Sequence, residues 1–228
     1  MRLLGSGVLL VAASLLAAAR SAQAEGLRGA AEPPIPRWGG NDTTLQWSAF
    51  VNMTDPADSP ARPTWLFKYF YNGEAKVSRY EHQQGQGDEV CAGISGIPGG
   101  TPCTVINAND GKLYLDFPAQ DFCCTCGSAF TIRSDWLLSG GTTYTGTSVQ
   151  FGRPADGWLK YGNEANHYYA TQDGTQAPIG YREHKSSGLK QWEFLQWAAG
   201  PQDSSLFDPP SDSCKAAQCQ SHACQVLS

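Results

Sequence analysis

Residues 65–73 read Trp65-Leu66-Phe67-Lys68-Tyr69-Phe70-Tyr71-Asn72-Gly73. Successive side chains of a strand point to opposite faces. Trp65, Phe67, Tyr69 and Tyr71 therefore share one face, and Leu66, Lys68 and Phe70 the other. Asn72-Gly73 follows at once, the dipeptide suited to a type I′ turn, whose two central residues both need positive φ. Residues 75–82 then return as the partner strand, with Lys76, Ser78 and Tyr80 alternating against Val77 and Arg79. An aromatic strand feeding a tight hairpin predicts an antiparallel sheet.

The same pattern recurs along the chain. Strands are predicted over 45–51, 103–107, 112–117, 144–151, 157–161, 167–171, 177–184 and 189–197, with turn signals at Asn109-Asp110-Gly111 and Asp173-Gly174. The three prolines of 55–63 mark a loop. Helix is scarce: the sequence predicts one helical piece, 134–138, with Ser134 as its cap and Trp136 and Leu137 on it. The fold class is mainly β, a single antiparallel sheet that curls as a barrel, half-barrel or sandwich. The concave side of such a sheet must be filled by protein or by a ligand.

The ends set the compartment. Met1-Arg2, the apolar run 3–19 and Ala22-Gln23-Ala24 have the layout of a secretory signal peptide cut after Ala24; the run is short for a membrane anchor. Residues 25–42, with Pro33, Pro34 and Pro36, read as a flexible leader, and 43–228 as one β domain ending in a Cys-rich tail, 207–228. Removing Arg2 and Arg20 leaves 14 basic against 21 acidic residues, a net charge of −7. That balance offers no basic patch for nucleic acid. Asn41-Asp42-Thr43 and Asn52-Met53-Thr54 are glycosylation acceptor triplets. The expected location is extracellular, or the lumen of an endomembrane or lysosome-like compartment.

Eight cysteines lie at 91, 103, 123, 124, 126, 214, 219 and 224. In an oxidising compartment they pair, but eight cysteines allow 105 connectivities. Cys123-Cys124-Thr125-Cys126 lacks zinc-knuckle spacing, although Cys219, His222 and Cys224 offer ligand types. Cys123 and Cys126 have the Cys-x-x-Cys spacing of a redox dithiol, without the helix N-terminus that lowers a thiol pKa. Adjacent cysteines on an extended segment face opposite ways and bond to two different distant segments; Cys214, Cys219 and Cys224 are the natural partners.

No hydrolase elbow, zinc-protease helix or phosphate loop is present. His82, His167, His184 and His222 are scattered, and Asp135, Asp156 and Asp173 sit beside turns or caps. Glu183-His184 beside Arg182 suits acid–base work but reads more simply as an exposed strand end. Residues 107–111 resemble part of a calcium loop without its later acidic ligand, and a hairpin turn accounts for them. No catalytic residue, metal site or cofactor is predicted. The aromatic residues carry the functional signal. Trp65, Phe67, Tyr69, Tyr71, Trp136, Trp158, Tyr168, Trp192 and Phe194 are the predicted lining of an apolar pocket. Phe151, Tyr181 and Trp197 belong to the same set on the predicted strands.

The order WLFKYFYNG, a run to Cys91, PCTVI, LYLDFPAQDFCCTC, SDWL, YTGTSVQF, DGWLKYG, NHYYA, WEFLQW and LFDPPSDSC resembles the ependymin-related secreted proteins, including their divergent algal and protist members. The resemblance spans about residues 45–219. It implies a half-barrel similar to the LolA and LolB lipoprotein carriers, bent round a deep hydrophobic cavity. It further implies binding of a lipid or other hydrophobic small molecule rather than catalysis, a homodimer among its allowed states, and disulfides from the central cysteines to the tail. The doubled Cys123-Cys124 departs from the simpler pattern of the animal members. The function expected is a secreted, disulfide-stapled binding protein for a hydrophobic ligand. The alternatives are an adhesion or matrix glycoprotein with a filled core, and a thiol–disulfide oxidoreductase at Cys123 to Cys126.

Overall fold

Eleven strands form one antiparallel sheet: β1 (Gln46–Thr54), β2 (Trp65–Asn72), β3 (Val77–His82), β4 (Cys103–Asn107), β5 (Lys112–Phe117), β6 (Phe122–Ser128), β7 (Thr142–Gln150), β8 (Arg153–Tyr161), β9 (Ala165–Ala170), β10 (Pro178–Lys185) and β11 (Gly188–Ala199). Their order is β6-β5-β4-β3-β2-β1-β11-β10-β9-β8-β7. The computed structural model describes residues 31–41, 45–54, 65–83, 90–162, 164–185, 188–219 and 224. The predicted signal peptide, the proline loop 55–63 and His222 lie outside them. Ile35 to Ser228 form one compact unit. The helical elements are α1 (Asp212–Ala216) and two 3-10 turns, Pro118–Gln120 and Ser204–Phe207.

The chain enters at the centre of the sheet and walks outward from β1 to β6. It then crosses to the far edge, β7, and walks back to β11, which pairs with β1. Ten inter-strand steps of about 4.8 Å would separate the two edges by roughly 48 Å on a flat sheet. Residues 129–141 make the crossing, and the fourteen steps from Ser128 to Thr142 reach at most about 46–50 Å when fully extended. The crossing is far from extended: Trp136 N donates to Arg133 O at 3.0 Å and Leu138 N to Asp135 O at 2.9 Å, two successive turns. The sheet must therefore curl, with this strap over its concave face. No ladder joins β6 to β7 among the described residues, so the curl is an open half-barrel.

The strap replaces the helix predicted at 134–138. The carbonyl of Ser134, which a helix would commit to Leu138 N, accepts from Trp38 N at 2.9 Å, and Ile132 O accepts from the Tyr71 hydroxyl at 2.7 Å. The N-terminal segment thus claims a backbone group that the helix would need. The β2–β3 hairpin also differs from its prediction. Asn72 pairs with Val77, so the loop is 73–76; the positive φ falls on Lys76, and the Asn72 Oδ1 accepts from Ala75 N at 3.0 Å. Gly73 is needed for space instead: a Cβ there would lie 2.7 Å from the Tyr71 hydroxyl and 2.9 Å from Ser134 Cβ.

Trp38 is the largest departure from the expected layout. It falls in the stretch read as a leader, yet it is 1% exposed. Its ring centroid lies 5.3 Å from that of Tyr181, 5.7 Å from Tyr168, 5.9 Å from Phe194 and 6.3 Å from Trp47. Neighbouring prolines marked the segment as irregular, which is true of its backbone and says nothing about one indole.

All eight cysteines are paired: Cys91–Cys103, Cys123–Cys214, Cys124–Cys219 and Cys126–Cys224. The cysteine cluster lies on β6, a strand paired with β5. Cys123 and Cys124 do face opposite ways, but both partners lie five residues apart on one segment. The tail makes this possible. Phe207 packs on Phe70 and Val77 of the outer face, and Cys214 of α1 packs with Ile106 and Tyr114. The tail then rounds the sheet edge: Thr125 N donates to Ala217 O at 2.7 Å and Cys219 N to Thr125 O at 2.9 Å. Cys124, on the inner side, takes Cys219. Adjacent cysteines grip the tail before and after it turns the corner.

Two stability outcomes are expected. Trp38→Ala lowers unfolding free energy by about 3–5 kcal/mol in denaturant titration; a loss under ~1 kcal/mol would show that Trp38 is peripheral. The paired change Cys124→Ser with Cys219→Ser costs about 2–5 kcal/mol, read from the same titration under non-reducing conditions.

Candidate functional site

Strand register assembles the inner face into rows. Tyr144 stands opposite Trp158, Trp158 opposite Tyr168 and Tyr168 opposite Tyr181. Tyr181 stands opposite Trp192, Trp192 opposite Met53 and Met53 opposite Trp65. A single row of large side chains therefore runs from β7 through β2. The next row inward runs Phe194, Val51, Phe67, His82 and Cys103 across β11 to β4. Half of this surface is filled by protein. Trp38, Leu137, Trp158 and Tyr168 pack together in the main core.

The other half is open. A cavity of 510 Å³, predominantly apolar, lies between the strap and the inner face of β9 to β11 and β1 to β5. This volume is within the range of about 300–1,000 Å³ common for small-molecule sites. Trp65, Phe67, Trp136 and Trp192 of the predicted set line it. Tyr69, Tyr71, Trp158, Tyr168 and Phe194 are packed in the adjoining core instead. The structure adds Met53, Tyr80, Tyr181 and Val105 to the walls, Phe130 and Ile132 from the strap, and His82, Arg133, Asn166, Glu183 and Lys190 as polar groups. Tyr80 and Tyr181 were visible as aromatic strand residues. What joins them to Trp65 is pairing register, which has no local signal.

The strap is fastened along the cavity. Phe130 N donates to Asn107 Oδ1 at 2.9 Å, and the Ser78 and Thr131 hydroxyls lie 3.3 Å apart. Arg133 is held by Asp135 through two hydrogen bonds, at 2.9 and 2.7 Å, which neutralise it locally. Phe130 is 65% exposed, unusual for a phenyl ring beside an apolar cavity.

The acid–base candidates do not converge. Glu183 is half-buried and lines the cavity, correcting its reading as an exposed strand end, whereas the neighbouring His184 is exposed on the opposite face. His167 and His184 lie 5.8 Å apart as rings; burial first, then His184 and Arg182, push the His167 pKa down. Asp156 is buried and accepts from the Tyr144 hydroxyl at 2.8 Å. Asp173 is held low by hydrogen bonds from Thr175 and Thr171 and organises its own turn. Cys123 and Cys126, the proposed dithiol, are bonded to Cys214 and Cys224 rather than to each other. The sulfurs of Cys126, Cys219 and Cys224 lie within 4.8 Å of one another, but each belongs to a bridge and offers no thiolate. Of the glycosylation acceptors, Asn41 is exposed at a bend, while Asn52 is half-buried on β1.

No family model and no curated protein matches the chain. Among solved structures it is similar to an uncharacterized conserved protein from Thermus thermophilus, with TM-score 0.47 and 9% identity over 76% of this chain and 90% of that one. It is also similar to the lipoprotein LppX of Mycobacterium tuberculosis, with TM-score 0.41 and 13% identity over 70% and 90%. A third is a LolA superfamily protein from Nitrosomonas europaea, with TM-score 0.35 and 7% identity over 74% and 92%. Likenesses this distant carry no argument about function, which rests on the cavity.

The buried phenols generate a pH prediction. Burial raises Tyr69, reinforced by Tyr80 and Tyr71; it likewise raises Tyr71, Tyr168 and Tyr181. A group whose folded pKa is raised contributes its stability in full below the unfolded value, about 10 for tyrosine, and loses it as pH rises further. Stability should therefore fall from pH ~10 upward, and tyrosinate absorbance of these residues should appear only with unfolding. Full tyrosinate formation in a folded protein at pH ~11 would contradict the burial.

Proposed function

We propose that this chain is a secreted binding protein for a hydrophobic ligand such as a lipid, held in the cavity of the curved sheet. One observation carries the reading: the aromatic inner face is only half covered by protein, leaving 510 Å³ of mainly apolar space. Removing ligand surface from water there would contribute roughly 25 cal/mol per Å². Four disulfides suit an oxidising compartment, and no helix among the described residues is long and apolar enough to cross a membrane. In this reading the chain is an ependymin-related protein with a LolA-like half-barrel, cleavage after Ala24 and a glycan at Asn41 in preference to Asn52. It binds its ligand without catalysing a reaction, and homodimerisation is part of the proposal.

The alternative of an adhesion or matrix glycoprotein needs a filled core, and the open cavity counts against it. A thiol–disulfide oxidoreductase needs a bonded or free pair at Cys123 and Cys126, and both are committed to the tail. Native mass spectrometry of the secreted, deglycosylated protein, followed by organic extraction, tests the reading. The expected result is a co-purifying apolar species of defined mass. A clean apo mass that gains nothing from mixed lipids would reject it in favour of the adhesion module.

A further inference from the structure

The charged and amide residues that line the cavity are engaged within the protein before any ligand arrives. Lys190 is buried and holds its ammonium 5.1 Å from the Trp65 ring centroid, a cation–π contact. Register places it opposite Glu183, and both residues have interaction partners within the chain. Arg133 is clamped by Asp135 through two hydrogen bonds. His82 is buried, stacks on Phe67 with ring centroids 5.1 Å apart, and is likewise engaged. The amides are committed too. Asn107 accepts from Phe130 N and donates to the Ser78 hydroxyl, both at 2.9 Å. Asn166 accepts from the Tyr181 hydroxyl at 3.0 Å and donates to the Glu164 carbonyl at 3.3 Å.

The charges of this wall also balance. Two carboxylates, Glu183 and Asp135, stand against two cations, Lys190 and Arg133. An ionised headgroup drawn into the cavity would lose its hydration and find only groups that must be shared with, or taken from, another partner. A cation gains nothing at the Trp65 face, which Lys190 already occupies. An uncharged ligand meets neither cost. The wall offers it fixed apolar surface instead. Tyr181 meets Trp192 edge to face at 5.7 Å and 87°, and Trp192 meets Phe67 at 5.6 Å and 87°. Rings braced in this way hold the shape of the space between them.

Resting on the carrier reading, we propose that the ligand is an uncharged lipid, with a hydrocarbon body and no ionised headgroup. Its body packs on Phe67, Val105, Leu113, Tyr181 and Trp192. The engaged polar residues act by exclusion. They disfavour fatty acid anions, alkylammonium ions and phospholipid heads alike, because each would have to break into an existing interaction. Arg133 is the point at which this exclusion can be lifted. Its partner Asp135 is not part of the cavity wall, so the pair can be opened without removing a wall residue.

Calorimetric titration with four probes of equal chain length, each below its micellar concentration, tests this: 1-decanol, decanoate, decyltrimethylammonium and decylphosphocholine. Decanol should bind about tenfold or more tightly than each ionised chain, because only its end group enters without giving up the hydration of a charge. Asp135→Asn leaves the Arg133 guanidinium at the wall without its carboxylate. Decanoate should then gain about fivefold, decyltrimethylammonium should gain nothing, and decanol should stay unchanged. Constant decanol affinity certifies the variant's fold, and opening one exposed ion pair costs that fold little. The ranking on the unaltered protein decides the ligand class whether or not the variant folds. An ionised chain that equals or exceeds decanol there would overturn the uncharged assignment and leave the carrier reading standing. Decanoate unmoved in a folded variant would overturn exclusion by pairing. Binding by none of the four would overturn the carrier reading itself.

Discussion

Thirteen residues must join two sheet edges that ten strand steps separate, and this constraint shapes everything else. A flat sheet would require the connection to be almost fully extended, and the connection spends part of its length in turns. Bending is thus imposed by chain length. It produces a concave face, and the segment that enforces it becomes the wall opposite. The cavity is the space left between the strap and the inner face where Trp38 and Leu137 do not fill it.

The inner face is aromatic for a reason that magnitudes make plain. The indole nitrogens of Trp47, Trp158 and Trp192 are buried with no hydrogen-bond partner among the described residues. Each such donor costs about 1–3 kcal/mol. Burying an aromatic side chain of about 150–250 Å² at roughly 25 cal/mol per Å² returns about 4–6 kcal/mol. Bulk outweighs the orphaned donor, and flat rings can tile a concave surface edge to face, as Trp47 does with Tyr69 at 4.9 Å and 86°.

How much of this could be read from the sequence depends on whether the cause was local. Alternation fixed which residues of 65–71 share a face, and β2, β4 and β5 lie where the pattern put them. The disulfide framework was legible as chemistry, since eight cysteines in an oxidising setting pair. Its connectivity was not, because it follows from the path of the tail round β6. The pocket was half legible. Trp65, Phe67, Trp136 and Trp192 line it, whereas Tyr69, Tyr71, Trp158, Tyr168 and Phe194 lie where Trp38 and the strap arrive. No property of those five residues records that arrival. Glu183 read as part of an exposed strand end, and only pairing puts it beside Lys190 on the inner face.

The tail bridges have a temporal meaning as well. Cys123, Cys124 and Cys126 are separated from their partners by 91, 95 and 98 residues. At synthesis rates of about 5–20 residues per second, the three thiols emerge some 5–20 s before any correct partner exists. For that interval their nearest oxidation partners are one another. Native pairing is therefore a second-stage event that must undo or outlast early mispairing, and it awaits β11, whose docking on β1 completes the sheet. Completion of the fold is thus set by disulfide pairing of the C-terminal tail rather than by formation of the first hairpins.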